Sequence, residues 1–338
     1  MTIDHRIAKL GDLPLQNGGV LKGAQLAYKV FGAASPGRPV IVYPTSFGTT
    51  HRDLEWLIGP GRALDPERYL IVMINLFGNG LSSSPSNAAE GQRGGAFPPL
   101  TMYDNVAAQH RLIADLLGIG RVALVVGFSM GAQAAFHWAA RYPDFVQRIA
   151  PICGSARTSH HNVVFLEGVK AALTGDRACE DGAFTARPGQ GLRNMARVYA
   201  GWGLSQAFYR EEIYLRLGFT SLEDFIVRDW EARFRHHDGN DLLAMIQTWQ
   251  SADIGSGTPF DGDLLRALAA ISAQALVMPS ETDLYFPVED SRREVAAMKA
   301  ARLLPIPTIW GHRVNNPAQN PDDAAFIDRA LREFLAEP

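Results

Sequence analysis

Along the 338 residues, short apolar runs recur, separated by stretches of helical spacing or by clusters of turn residues. Ala24 to Phe31 alternates well enough for a strand of an N-terminal antiparallel pair. Val40 to Tyr43, Tyr69 to Asn75, Val122 to Val126, Arg148 to Cys153 and Ala273 to Met278 are apolar with little alternation. Strands buried on both faces of a parallel sheet read this way. Helical patterns lie between them. One starts at Thr101 with an acid three residues on and runs to about Leu117, where Gly118 and Gly120 stop it. Another is the alanine-rich stretch ending near Tyr142 and Pro143. This alternation predicts an α/β class protein with a mostly parallel, doubly wound sheet. Arg302 to Ile309 is the last strand region, with prolines that suit an edge. A closing helix from about Asp322 puts Phe326, Ile327, Ala330, Leu331, Phe334 and Leu335 on one stripe.

From about Ala156 to Phe260 strand signals vanish and amphipathic helical stretches take over. Ser221 to Phe234 is one, with Leu222, Phe225, Ile226, Trp230 and Phe234 on a single face. The chain therefore divides into a core, 1–155 with 261–338, and an inserted helical unit, 156–260. Its aromatic residues, Trp202, Trp230 and Trp249 among them, are expected to form that unit's own interior.

The chemistry concentrates where Val122 to Val126 meets Gly127, Phe128, Ser129, Met130 and Gly131 and a helix follows. Strand, G-x-S-x-G and helix in this order is the nucleophile elbow of the α/β-hydrolase fold. The sharp reversal lifts Ser129 above the sheet edge, and glycines on either side let strand and helix pack closely. The helix N-terminus, from Met130 on, offers free amides to an oxyanion. A second oxyanion donor is expected in the loop after Val40 to Tyr43, from the amide of Thr45, with Ser46 as the alternative. Ser46 in that loop and Phe128 before the nucleophile are candidate substrate contacts.

A serine needs a base, and the chain order for this fold is Ser, then Asp or Glu, then His. Asp283 and His312 each fall just past a predicted strand end, so they converge with Ser129 on one edge of the sheet. Glu281 and Asp290 are alternatives for the acid; Asp283 is preferred because it sits in the turn before a helix. The other histidines precede the expected place of the base, lie on helices, or fall in the insertion. No carboxylate or thiolate spacing around them suggests a metal site. The insertion between sheet strands is where such folds carry a cap over the active site.

Composition narrows the class further. Hydrophobic content of 47% and a formal net charge of −3 describe a globular protein with no basic face for nucleic acid or anionic membrane. No apolar run reaches membrane-spanning length, and Met1 to Gln16 lacks the apolar core of a signal peptide. Cys153 and Cys179 are expected to be reduced thiols. These features together predict a cytoplasmic protein.

Three stretches then resemble the homoserine O-acetyltransferase family of α/β-hydrolases: Ile58 to Ile71 (IGPGRALDPERYLI), Phe97 to Asp104 (FPPLTMYD), and Gly127 to Gln133 (GFSMGAQ) with Trp138 and Arg141 to Asp144 (RYPD). The resemblance implies a helical cap, a triad on Ser129, Asp283 and His312, an acyl-enzyme, and homodimers joined through caps. It also implies a cap arginine for a substrate carboxylate, which falls near Arg197, with Arg193 close by. The chain departs from the family at informative places. The elbow reads GFSMGA where G-G-S-M-G-G is typical, and PTSFG at Pro44 to Gly48 replaces a Thr-Gly-Asp loop. Arg313 stands after the base, where an aspartate suited to an amino group is usual. Pointing into the site, its cation would repel the ammonium of homoserine. The expected activity is hydrolysis of a small-molecule ester, thioester or related acyl bond, with no cofactor. The alternative is transfer from acyl-CoA, as co-substrate, to a hydroxyl acceptor.

Overall fold

Strands β1 (Arg6–Pro14), β2 (Val20–Phe31), β3 (Val40–Pro44), β4 (Leu70–Ile74), β5 (Leu124–Phe128) and β6 (Arg148–Ile152) form most of one sheet in the computed structural model, which describes residues 4–337. A two-residue hairpin follows, β7 (Cys179–Glu180) and β8 (Ala183–Phe184), and then β9 (Gln274–Val277) and β10 (Ala301–Leu303). The main sheet runs β1-β2-β4-β3-β5-β6-β9-β10, parallel from β4 onward, with β1 and β2 antiparallel at one edge. Every residue of β3, β4 and β5 is buried. Alternate side chains feed two cores, one on each face. Val42, Val72 and Val125 join one, and Ile41, Tyr43, Ile71, Met73 and Val126 the other. Helices α1 (Met102–Arg111) and α2 (Met130–Arg141) cover the first face, where Val106 and Trp138 pack. The C-terminal helix covers the second with Ile327, Leu331 and Phe334.

Boundaries moved where pairing overrode the local pattern. The elbow strand was expected over Val122 to Val126 and is found two residues later. Its register with β6, from Val125 opposite Ile149 to Phe128 opposite Ile152, carries it up to the serine, while Val122 makes only an isolated bridge. The last strand is shorter than Arg302 to Ile309 suggests, because Pro305 and Pro307 have no N–H to donate; Ile306 between them keeps a single bridge to Ser280. The Thr101–Asp104 capping box is present, the threonine amide donating to Asp104 at 2.8 Å and the Asp104 amide to Thr101 at 3.2 Å. That helix ends in a π turn over Leu112–Leu116.

Between β6 and β9 the chain is helical apart from the β7–β8 hairpin, which the sequence pattern does not reveal. The segment contains α3 (His160–Thr174), α4 (Gly189–Gly203) and α5 (Gly239–Gln250). Helical turns from Leu222 to Phe234 include a π turn over Ile226–Glu231. That extra residue explains an irregular stripe. Phe225, Trp230 and Phe234 are spaced by five and then four, and all three are buried, whereas Leu222 at the helix start is exposed. Among the described residues no helix is long and apolar enough to cross a membrane.

Helix α6 (Val288–Ala297) places Glu294 under the point where the chain leaves β6 for this insertion. One Glu294 oxygen accepts the Ala156 amide at 2.7 Å and the other has no partner among the described residues. Burial pushes its carboxyl up to about 8, only partly opposed by the amides it accepts. In the unfolded chain the group titrates near the ordinary glutamate value, so its contribution is intact below that value. It is lost as pH rises through about 8. Glu294→Gln is therefore expected to gain stability relative to wild type between pH 5 and pH 9, by on the order of a few kcal/mol in denaturant unfolding. A difference that stays constant with pH would refute this.

Candidate active site

Ser129 stands between β5 and α2 with φ 53° and ψ −117°, a conformation a side-chain-bearing residue adopts only under constraint. The constraint is close packing. A Cβ on Gly127 would lie 2.3 Å from the Gly131 carbonyl, and one on Gly131 would lie 2.7 Å from the Pro44 oxygen. The Ser129 amide is held by Ile152 O at 2.9 Å. The next amide, that of Met130, has no acceptor among the described residues and belongs to the first turn of α2.

Asp283 lies in the turn beyond β9 with its carboxylate out of contact with solvent. One oxygen accepts the amides of Tyr285 and Phe286, at 3.1 and 3.0 Å, and the other receives His312 Nδ1 at 2.6 Å. A carboxylate can only accept, so Nδ1 carries the proton and Nε2 is left as the basic nitrogen. The imidazole rests against the rings of Tyr285 and Phe286, with centroids 4.5 and 5.6 Å away. Glu281 is exposed, Asp290 is on α6, and neither bonds His312. The buried Cys153 at the end of β6 has its thiol pushed well up by burial and by the Asp283 charge.

Ser129 and His312 open into one cavity of about 550 Å³ between the sheet edge and the insertion. Ser46 and Phe128 line it too, as do Phe47, Tyr199, Trp230, Arg233, Phe234 and Tyr285. Trp202 and Trp249 do not line this cavity. Trp230 does, so the aromatic residues expected to be only interior also shape the site. The signal for Tyr285 was its place two residues after the acid.

Two expectations need correction. The Thr45 amide is not free for an oxyanion: parallel pairing spends it on Ile74 O at 2.9 Å, and its hydroxyl accepts the Leu76 amide. Ser46 gives its amide to Thr49 Oγ1 at 2.9 Å, and Phe47 and Gly48 are the residues of this loop whose N–H groups have no acceptor among the described residues; Phe47 lines the cavity next to Ser46. Arg197 does not reach the cavity. It lies on the outward face of α4, with Nε 2.7 Å from Glu231 and Nη1 3.1 Å from Glu223, while Met195, Ala196 and Tyr199 fill the inward face. Arg193 is bonded to Gln190 on the same surface. Arg197→Ala is expected to leave kcat/KM within about threefold of wild type, since exposed pairs contribute little; a loss of tenfold or more in an ester assay would count against this placement.

Cations do face the cavity, from other positions. Arg313 lines it but is bound to Asp229 of the insertion at 2.6 Å. Arg233 makes no hydrogen bond among the described residues and keeps 3.8 Å from Asp229. Crowding by protein and the Arg313 charge draw its guanidinium down to about 10, which leaves it a cation at neutral pH.

Two trios of potential metal-ligating groups come together among the described residues. One is Asp283 and His312 with Cys153, and the other is Asp4, His5 and His51, whose Asp4 already pairs with Arg52 and Lys29.

This geometry can be set beside known proteins. The profile describing the α/β-hydrolase fold matches residues 39–177. Along 338 aligned positions, 98% of this chain and 95% of the relative, the sequence is 38% identical to the ethyl acetate hydrolase of Pseudomonas veronii. The chain belongs to the α/β-hydrolase family. This α/β-hydrolase is also 30% identical to the homoserine O-acetyltransferase of Symbiobacterium thermophilum, covering 96% of this chain and 92% of that one. It superimposes on the structure of the acetyl esterase MekB with a TM-score of 0.95 and 36% identity, covering 98% and 97% of the two chains. The resemblance to the homoserine O-acetyltransferases is therefore real, and esterases of the same family are more similar in sequence.

Proposed function

We propose that the protein hydrolyses short-chain carboxylic esters, acetate esters foremost, through an acyl-Ser129 intermediate. The carrying observation is the 2.6 Å bond from His312 to a buried Asp283, in a site where the base shares a cavity with the serine of a strained elbow. In the first step His312 Nε2 takes the hydroxyl proton as Ser129 Oγ attacks the ester carbonyl, and Asp283 stabilises the imidazolium. The amides of Met130 and Phe47 are the proposed oxyanion donors. Collapse expels the alcohol, which takes the proton from His312. Water then repeats the sequence on the acyl-enzyme and returns free Ser129. Rings of Phe47, Phe165, Tyr199, Trp249 and Tyr285 pack together at centroid distances of 4.7–6.2 Å beside the base. Of these, Phe47, Tyr199 and Tyr285 face the cavity, backed by the other two rings; such a wall suits a small acyl group, in keeping with the ethyl acetate hydrolase and the acetyl esterase that the chain resembles.

The reaction as written needs no metal or cofactor, and acyl-CoA would enter only for transfer. We place the protein in the cytoplasm on the strength of its two free thiols. Pairing of two copies through the insertion is the assembly to test, given the exposed Val164, Leu215 and Leu222 there.

The second reading is acyl transfer, favoured by the homoserine O-acetyltransferase relatives. Two observations favour hydrolysis over transfer to homoserine. Arg197 is tied up on the outer face, and the position after the base holds Arg313, paired with Asp229, in place of an acid free for the substrate ammonium. Incubation with ethyl acetate, p-nitrophenyl esters of graded length, and acetyl-CoA with L-homoserine separates the two. Acetate release falling steeply with acyl length is expected. Formation of O-acetylhomoserine faster than thioester hydrolysis would overturn the hydrolase reading.

A further inference from the structure

The residues that hold the base come from both sides of the cavity. Trp310 to Asn320, the segment carrying His312, has neither helix nor strand, so only its contacts can fix the imidazole. On the core side, Asp283 holds the ring, and Thr282 Oγ1 accepts the Gly311 amide at 3.1 Å. Further contacts reach the helical insertion. The His312 amide donates to Gly203 O at 3.1 Å, and the Ser205 hydroxyl donates to Ile309 O. Gly311 has φ 58°, and a Cβ there would lie 2.9 Å from the Ser205 nitrogen, so the two backbones touch. Beside them, Arg313 Nη1 meets Asp229 at 2.6 Å with both side chains about nine-tenths covered. Its guanidinium lies over the Trp230 ring, 5.1 Å from the centroid. Gln319 accepts from Arg313 at 3.0 Å and from Asn316 at 2.6 Å, which ties the far end of the loop into the same pair.

We propose that Arg313 and Asp229 are positioning residues for His312, clamping the loop that carries the base onto the helical insertion so that insertion and base move as one unit. The inference rests on the reading of His312 as the base. The π turn over Ile226–Glu231 has a purpose in this arrangement. It supplies both Asp229 and the buried Trp230 to the clamp, and π turns recur at functional sites for this kind of local reorientation. The pair is matched in charge, so neither member is left to bind a substrate ion. The consequence is mechanical. A base displaced by an ångström loses on the order of 10²-fold in rate even when its chemistry is untouched. The clamp also implies that the insertion does not lift away as a free lid, because opening would carry His312 away from Ser129.

The test compares Arg313→Met, Asp229→Asn, the double variant and Arg313→Lys with wild type. Two rates are read, p-nitrophenyl acetate turnover and capture of Ser129 by a fluorophosphonate probe, which needs an activated serine but no particular substrate. The double variant leaves no unpaired buried charge, so it keeps the test valid if a single variant fails to fold. Both neutral singles and the double are expected to lower kcat and probe capture by roughly 10- to 100-fold, with KM within about threefold. The effects should be non-additive, and Arg313→Lys should recover most of the rate by keeping the charge. A folded double variant with both rates within threefold of wild type overturns the proposal. So does a change confined to KM, which would make the pair a substrate contact. Wild-type protein that the probe does not label would instead bring down the acyl-serine reading itself.

Discussion

Ser129→Ala is expected to lower kcat by a factor on the order of 10⁴ to 10⁶ while leaving the fold in place. Among the described residues the Ser129 hydroxyl is the nucleophile that the elbow presents, in the same cavity as His312. Cys153 is close to the acid, but it is buried and its thiol is held protonated, so it cannot substitute. The strained backbone at φ 53° is imposed by the packing of Gly127 against Gly131, and alanine meets the same constraint as serine. The folded state should therefore tolerate the change, and thermal unfolding of the variant should stay near wild type. Residual ester hydrolysis within tenfold of wild type would place the nucleophile elsewhere.

Asp283→Asn is expected to cost roughly 10³- to 10⁴-fold in kcat with KM little altered. The asparagine carbonyl can still accept the amides of Tyr285 and Phe286, so the turn should survive. The side-chain NH₂ would then face His312 Nδ1, where a donor meets a donor unless the imidazole changes tautomer. Changing tautomer places the proton on Nε2 and removes the base from Ser129. The exposed Glu281 serves as the control: Glu281→Gln should stay within about twofold, since its side chain makes no hydrogen bond or ion pair among the described residues. Reversed results for the two variants would mean that the acid has been misassigned.

Much of this was legible because its causes are local or follow chain order. The elbow is written in consecutive residues, since a strand reversing into a helix around one serine needs glycine at Gly127 and Gly131 and an apolar run before them. Asp283 and His312 could be named because strand ends of a parallel sheet gather on one edge, whatever the distance along the chain. The usual layout of the fold pointed to Thr45 as an oxyanion donor and the family resemblance to Arg197 as a substrate ligand, and both failed for a common reason. A backbone amide belongs to whichever acceptor the neighbouring strand presents, and β4 presents Ile74 O to Thr45. A helical arginine points where its helix is turned, and α4 is turned by Ala196, Tyr199 and their neighbours packing inward.

Arg313 shows the division most clearly. Its position after His312 was plain in the chain, and its fixed positive charge follows from its chemistry alone. Whether that charge meets a substrate or a partner depends on Asp229, 84 positions away on another element. Strand and helix patterns, the elbow and the chain order of Ser129, Asp283 and His312 are properties of the sequence itself, because each is set by neighbours, by alternation or by position along the chain. The free amide at Phe47, the cavity's cations and the pairing of Arg313 with Asp229 were decided only in the folded molecule, because each depends on how segments meet that no local pattern brings together.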